Sequence, residues 1–318
     1  MKTCPKCNST VKETAKFCVF CGFNIKKYEE ENANKKHFCP ECGAEVEKGV
    51  FCPECGANLS EHLSVSTIET PSITPFDFSA LENEAKKQLV EQIGLEMEGS
   101  VLAKYTGKSR TVEIPSGVTE IYDMAFKDNQ VVSSVTIPEG VTVIGKYAFY
   151  NCLYLKSVTL PSTIEEIYGY AFYSCSELKE IKIPSKVTQI RNGVFHGCSN
   201  LKKIKIPNSV TSIGCDAFRD CSGITSIEIP DSVTSIGNSA FLNCRGLKEI
   251  VIPYNVTSIG CNAFSGCSGL TSVEIPNSVT SIGVFAFTGC TGLETIKVPK
   301  SLENQISKPN DSVKIITY

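Results

Sequence analysis

The chain has 318 residues, a formal net charge of −3, 42% hydrophobic and 8% aromatic residues, and no tryptophan. It is long enough for two or three domains, and it has no run of 18 apolar residues that could cross a membrane as a helix. Charge sums to +1 over residues 1–59, −6 over 60–100 and +2 over the remainder, so no segment is basic enough to bind nucleic acid by bulk charge alone.

Eight of the 17 cysteines precede residue 56. Cys4-x2-Cys7 and Cys18-x2-Cys21 form one set of four, and Cys39-x2-Cys42 and Cys52-x2-Cys55 form a second. Four thiolates on two short turns make the closed tetrahedral sulfur cage that Zn²⁺ prefers, with no open position for water. Gly22, Gly43 and Gly56 directly follow the second cysteine of their pair, and Asn8 holds that place in the first turn. These residue types tolerate the left-handed conformation that turns amides toward sulfur. Both segments, 1–27 and 36–60, resemble the short tandem zinc-ribbon modules written CPxCG…CxxCG. Two structural zinc ions are therefore expected, with metal binding supplying the folding free energy of segments too short to fold on burial alone. Residues 1–27 hold six Lys and one Glu, and residues 28–59 hold three Lys and seven Glu. A Zn(Cys)₄ centre adds about −2 to each by charge counting, so the first ribbon stays basic and the second becomes acidic. His37 and His62 flank the second set, which already has its four ligands. The start, MKTCPKCNST, lacks the apolar stretch of a secretory signal. A cytoplasmic location is expected, with the cysteines reduced or metal-bound.

Residues 61–78, rich in Ser, Thr and Pro, read as a flexible linker. Ser79 with Glu82 makes a capping box that opens a helix. Leu81, Ala85, Leu89 and Ile93 line one face of it, and Gly94 ends it. The following segment predicts a hairpin turning at Gly99-Ser100. Helix and hairpin, 79–100, are expected to cover the first edge of the sheet that follows.

From residue 101 to 300 a proline returns every 23 residues: Pro115, Pro138, Pro161, Pro184, Pro207, Pro230, Pro253, Pro276 and Pro299. A fixed period of that size means stacked, near-identical units. In the unit LTSVEIPNSVTSIGVFAFTGCTG, Val273-Glu274-Ile275 alternates as a strand and proline ends it. A second short extended piece runs over 279–282, and Gly283 is expected to supply the bend after it. One unit cannot bury its eight apolar side chains alone, whereas stacking at about 4.8 Å buries them in columns. A phenylalanine ladder follows: Phe126, Phe149, Phe172, Phe195, Phe218, Phe241, Phe264 and Phe287. The pattern LxxIxIPxxVTxIGxxAFxxC resembles the BspA-type leucine-rich repeat. The resemblance implies a β-solenoid with a concave sheet and a protein-interaction role. Departures are few: Asn129 stands for Cys, Val194 for Ala, and Tyr168 and Arg191 for Gly. Residues 301–318 are expected to cap the far end, with 313–318 as a closing strand. The fold class is thus mostly β, a leucine-rich-repeat solenoid of 23-residue repeats preceded by two small Cys4 zinc ribbons.

Cys152, Cys175, Cys198, Cys221, Cys244, Cys267 and Cys290 form a column expected to be buried as small hydrophobes, while Cys215 and Cys261 are expected to be partly exposed. His196 sits in a repeat turn and is expected at the surface. No phosphate loop, His-Glu metal motif or recognisable general base appears, so no enzyme and no small-molecule substrate are expected. Stacking gathers Lys179, Lys182, Lys202, Lys203 and Lys205 into one basic patch without interleaved aromatics, the candidate partner-binding surface. Three functions fit: an intracellular protein-interaction scaffold, a nucleic-acid-associated protein using the basic first ribbon and the lysine patch, or an adhesin-like surface protein. The scaffold is the primary reading.

Overall fold

Each proline removes one ladder donor, so the strands it ends are short, and the chain must turn at fixed intervals. The computed structural model describes residues 93–318 except 307 and 310, together with residues 2–3, 10–12, 25–26, 37–38 and 45–46. The chain divides into two units, Met1–Phe76 and Asp77–Tyr318. In the first unit, Lys2–Thr3 pairs antiparallel with Thr10–Val11, and His37–Phe38 pairs antiparallel with Glu45–Val46. The eight amino-terminal cysteines, the linker and the helix expected from Ser79 lie outside the described residues, apart from the last helical residue, Ile93.

The second unit is a mostly β solenoid of parallel strands in constant register. Ser157 faces Ser134, Ile190 faces Ile213, Ser235 faces Ser258 and Val273 faces Ile296, always one 23-residue repeat apart. Each turn contributes a strand of two to four residues ahead of its proline, such as Ser272–Glu274, and a two-residue strand after it, such as Ser281–Ile282. The inward Val, Ile and Leu side chains of both strands are buried almost throughout. Outward neighbours such as Ser272 and Glu274 are exposed. That alternation places a mostly polar outward face over the first strands.

The phenylalanines form one file. All eight are at most 2% exposed, and successive ring centroids lie 4.8 to 5.7 Å apart with interplanar angles of 2° to 14°. Tyr105 lengthens the file at its start, its ring 5.0 Å from Phe126. The backbone follows the same ladder: Phe218 N–H donates to the Ala240 carbonyl at 2.7 Å, and Phe241 N–H to Ala263 at 2.8 Å. Each column cysteine donates its thiol to the carbonyl of the preceding turn's phenylalanine at 3.0 to 3.2 Å. A residue there must be small and apolar yet carry a donor, which selects cysteine. Asn129 instead caps its own loop, accepting from the amides of Val131 at 2.9 Å and Val132 at 2.8 Å.

Gly283, which follows the second strand, does not take the left-handed conformation. A Cβ at Gly283 would lie 2.2 Å from the Cys261 nitrogen, and one at Gly260 would lie 2.5 Å from the Asn238 nitrogen. These glycines let consecutive turns approach closely. The left-handed residues stand elsewhere, at two positions per turn. One column holds Met124, Tyr147, Tyr170, Gly193, Asp216, Ser239, Asn262 and Phe285, with φ between 54° and 63°. Gly, Asn and Asp suit that conformation, whereas Met, Tyr and Phe are strained in it.

Each end carries a cap on one ladder, while Thr111–Glu113 remains an edge strand of the other. The hairpin Leu95–Glu98 with Val101–Tyr105 pairs in parallel with Glu120–Ile121 and so covers the first edge of the second-strand ladder. At the other end Lys314–Thr317 adds a parallel strand to Thr295–Val298, and the Gln305 side chain accepts the Ile282 amide at 3.0 Å where a further strand would have bonded. Capping of this kind removes edges that would otherwise pair with other chains.

Candidate protein-interaction surface

The polar face over the first strands carries the lysines. Register sets Lys182 directly beside Lys205, and Glu180 beside Lys203. The Lys202 amide donates to the Lys179 carbonyl at 2.9 Å, and the Lys179 amide to the Lys156 carbonyl at 3.3 Å. All five expected lysines are therefore brought together on two adjacent turns, and all are exposed. Lys156 extends the group by one turn. It stands five residues before Pro161, the same column as Lys179 and Lys202, and reading that column one repeat further back finds it.

None of these lysines has a carboxylate within ion-pair distance among the described residues, although the same solenoid pairs Lys186 with Glu165 at 2.7 Å and Lys297 with Glu274 at 3.3 Å. Like charges opposite one another on neighbouring strands repel. A patch held in that state attracts anionic groups and steers their approach.

Two turns further along, the same face changes character. Val251 and Tyr254 are 76% and 78% exposed, the highest values among the large apolar side chains described. They flank buried Ile252 and Pro253. Tyr318, half exposed, donates its hydroxyl to the Ile275 carbonyl at 2.6 Å and lies close enough to Tyr254 to interact electrostatically.

A second cluster lies in the loops around the phenylalanines and was not legible as a unit. Tyr147 stacks on Tyr170 at 5.3 Å and Tyr150 on Tyr173 at 4.7 Å. Lys146 and Lys127 sit over Tyr147 and Tyr150, at 4.9 and 5.6 Å from the ring centroids. These ring faces are occupied by each other and by ammonium groups, so they offer no platform for a base. His196 corrects an expectation. Its side chain is only 16% exposed, packs 4.5 Å from Tyr173 and pairs with Asp220 at 3.3 Å. Burial and the nearby Arg219 hold its pKa below the usual value.

The thiol column is inert. Burial pushes Cys290 up to about 11 and Cys152 up to about 12, and raises the five between them as well. A thiol so far from ionising is a poor nucleophile. Cys215 and Cys261 are partly exposed, as expected. Among the described residues no cluster of three His, Cys, Asp or Glu could hold a metal, and no helix is long and apolar enough to cross a membrane. The candidate zinc ligands Cys4, Cys7, Cys18, Cys21, Cys39, Cys42, Cys52 and Cys55 lie outside the described residues.

Fold and surface define a leucine-rich-repeat solenoid with a polar strand face. The chain belongs to the BspA type leucine rich repeat region family, whose model matches residues 101–225 and 211–308 in six copies. It is similar to the T. pallidum leucine rich repeat protein, with 28% identity over 69% of this chain and 91% of that one and a TM-score of 0.49. It is also similar to a leucine rich cell surface protein from Faecalibacterium prausnitzii, with 26% identity over 70% and 94% of the two chains and a TM-score of 0.33. A leucine-rich repeat protein from Bacteroides ovatus shows 24% identity over 69% and 87%, with a TM-score of 0.32. No curated protein matches the chain.

Proposed function

We propose that this chain is a non-enzymatic protein-interaction scaffold whose strand face binds an acidic protein partner through Lys179, Lys182, Lys202, Lys203 and Lys205. The observation that carries this reading is the in-register stacking of unpaired lysines on a chain that neutralises comparable lysines elsewhere. A long, regularly spaced face suits binding along an extended partner, and repeats of this family are protein-binding modules. The amino-terminal segments 1–27 and 36–60 each hold one structural zinc through Cys4, Cys7, Cys18 and Cys21 and through Cys39, Cys42, Cys52 and Cys55. In support, each leading CxxC pair falls between two short paired strands: Cys4 and Cys7 between Lys2–Thr3 and Thr10–Val11, and Cys39 and Cys42 between His37–Phe38 and Glu45–Val46. Residues 61–78 tether this segment to the solenoid, and the whole works in the cytoplasm.

The test is affinity capture from nuclease-treated native lysate with the full chain. The variant Lys179→Glu/Lys182→Glu/Lys202→Glu/Lys205→Glu serves as control. The scaffold reading expects a defined protein that the wild type retains and the variant loses. Equal retention by both, or capture that survives only without nuclease and contains RNA, overturns it, the latter in favour of nucleic acid.

A further inference from the structure

We infer that the strand face has a second, apolar contact formed by Val251 and Tyr254. Together with the lysines, it reads an extended partner segment that is acidic at one end and carries a bulky apolar residue about three residues further on. This rests on the lysine reading above and adds the polarity and spacing of what binds there.

Val251 occupies the column two residues before proline, where its neighbours are Thr159, Lys182, Lys205, Glu228, Glu274 and Lys297. Tyr254 follows its proline at a place held by Asn208 and Asp231 on the two preceding turns and by Asn277 on the next. Among the described residues nothing covers either side chain, since each is more than three quarters exposed. The solenoid gains no burial from them, yet both stand at positions that other turns fill with polar residues. An exposed tyrosine beside an aliphatic residue, rimmed by charge, has the composition of a binding hot spot.

The charges around the patch give the occupant a direction. Along one column the order is Lys182, Lys205, Glu228, Val251. Glu228 is exposed, one turn from Lys205 and one turn from Val251. Its carboxylate repels an acidic segment that slides toward the apolar end. On the turn of Val251, Lys248 balances Glu249, so the segments 179–182 and 202–205 carry +1 and +3 while 225–228 and 248–251 carry −1 and 0. Glu180 opposes Lys203 within the basic end, leaving Lys179, Lys182, Lys202 and Lys205 as its uncompensated members. Acidic residues are thereby confined to the earlier turns and apolar ones to the later. Two turns of stacked strands span about 10 Å, which an extended peptide covers in about three residues.

The experiment is fluorescence polarisation with the full-length protein and two labelled synthetic peptides. One carries three acidic residues, a two-residue neutral spacer and Leu-Phe. The other replaces Leu-Phe by Ser-Ser. The first peptide is expected to bind at least ten-fold more tightly. Val251→Ser/Tyr254→Ser should remove that difference without changing affinity for the all-polar peptide, and Lys182→Glu/Lys205→Glu should weaken both. Equal affinity of the two peptides for wild type overturns the apolar contact and leaves the lysine reading standing. Failure of both to bind at low salt overturns the lysine reading and this inference together.

Discussion

Truncating one ring in the middle of the phenylalanine file measures how far each coil depends on its neighbours. Phe218 is fully buried, with ring centroids 5.6 Å from Phe195 and 5.3 Å from Phe241 at interplanar angles of 11° and 14°. Phe218→Ala removes a buried aromatic and leaves a cavity that flanking backbone, fixed by bonds such as Phe218 N–H to Ala240, cannot collapse into. Phe→Ala changes of this kind cost about 3–5 kcal/mol, and the two stacked contacts, worth roughly 0.5–1.5 kcal/mol each, place this one toward the upper end. Phe287 stacks only on Phe264, so Phe287→Ala should cost about 1 kcal/mol less than the central truncation. The assay is urea unfolding of the full chain followed by far-ultraviolet circular dichroism. Because a stack transmits stability only between neighbours, the central variant should also broaden or split the transition into the turns before and after the gap. A loss below about 1.5 kcal/mol, or an equal loss at both sites, would refute columnar burial as the source of stability.

Three other outcomes follow from the same structure. Met124 and Phe285 are exposed and hold φ near +60°, so Met124→Gly and Phe285→Asn should each raise stability by about 1 kcal/mol, read as a higher urea midpoint at unchanged slope. The buried thiols keep their protons well above the ordinary value of 9.0, whereas unfolded thiols lose them near it. Stability should accordingly be level below pH 9 and fall as pH climbs through 9 toward 11 and 12, by about 1.4 kcal/mol per thiol per unit. Replacing Cys198 and Cys221 by Ala should flatten the fall between pH 9 and 11 measured by thermal melting, and an unchanged slope would contradict the assignment. Elemental analysis of purified protein should find two zinc ions per chain. A strong chelator should remove them and leave the solenoid's circular dichroism intact, whereas zinc-free protein from a metal-replete preparation would exclude the ribbons.

The solenoid was legible because a period is insensitive to individual residues. Once prolines recur every 23 positions, register follows, and with it the phenylalanine file and the lysine columns. What escaped depends on backbone geometry that composition conceals. Gly283 suggested a bend because glycine so often marks one, yet what it also allows is close approach to the Cys261 backbone. The true left-handed column holds Met124, Tyr147, Tyr170 and Phe285, residue types that argue against that conformation, so only the fold's demand on every turn explains them. His196 was expected at the surface because it sits in a repeat turn, and it is Tyr173 on the turn before and Asp220 on the turn after that pack and pair with it. Tyr105 stands 21 rather than 23 residues before Phe126, so the period does not pick it out as the ring that extends the file.

The most direct trial of the whole account is deletion of one complete coil. Removing residues 224–246 joins Gly223 to Leu247, and Leu247 takes the place of the buried Ile224. The account predicts a folded, cooperatively melting protein of undiminished sheet content, because 23 residues restore every column, including Phe218 against Phe264. Removing 22 residues instead, 224–245, should destroy that behaviour, since every later inward side chain would be displaced by one position. Equal tolerance of the two deletions, or equal collapse, would contradict it.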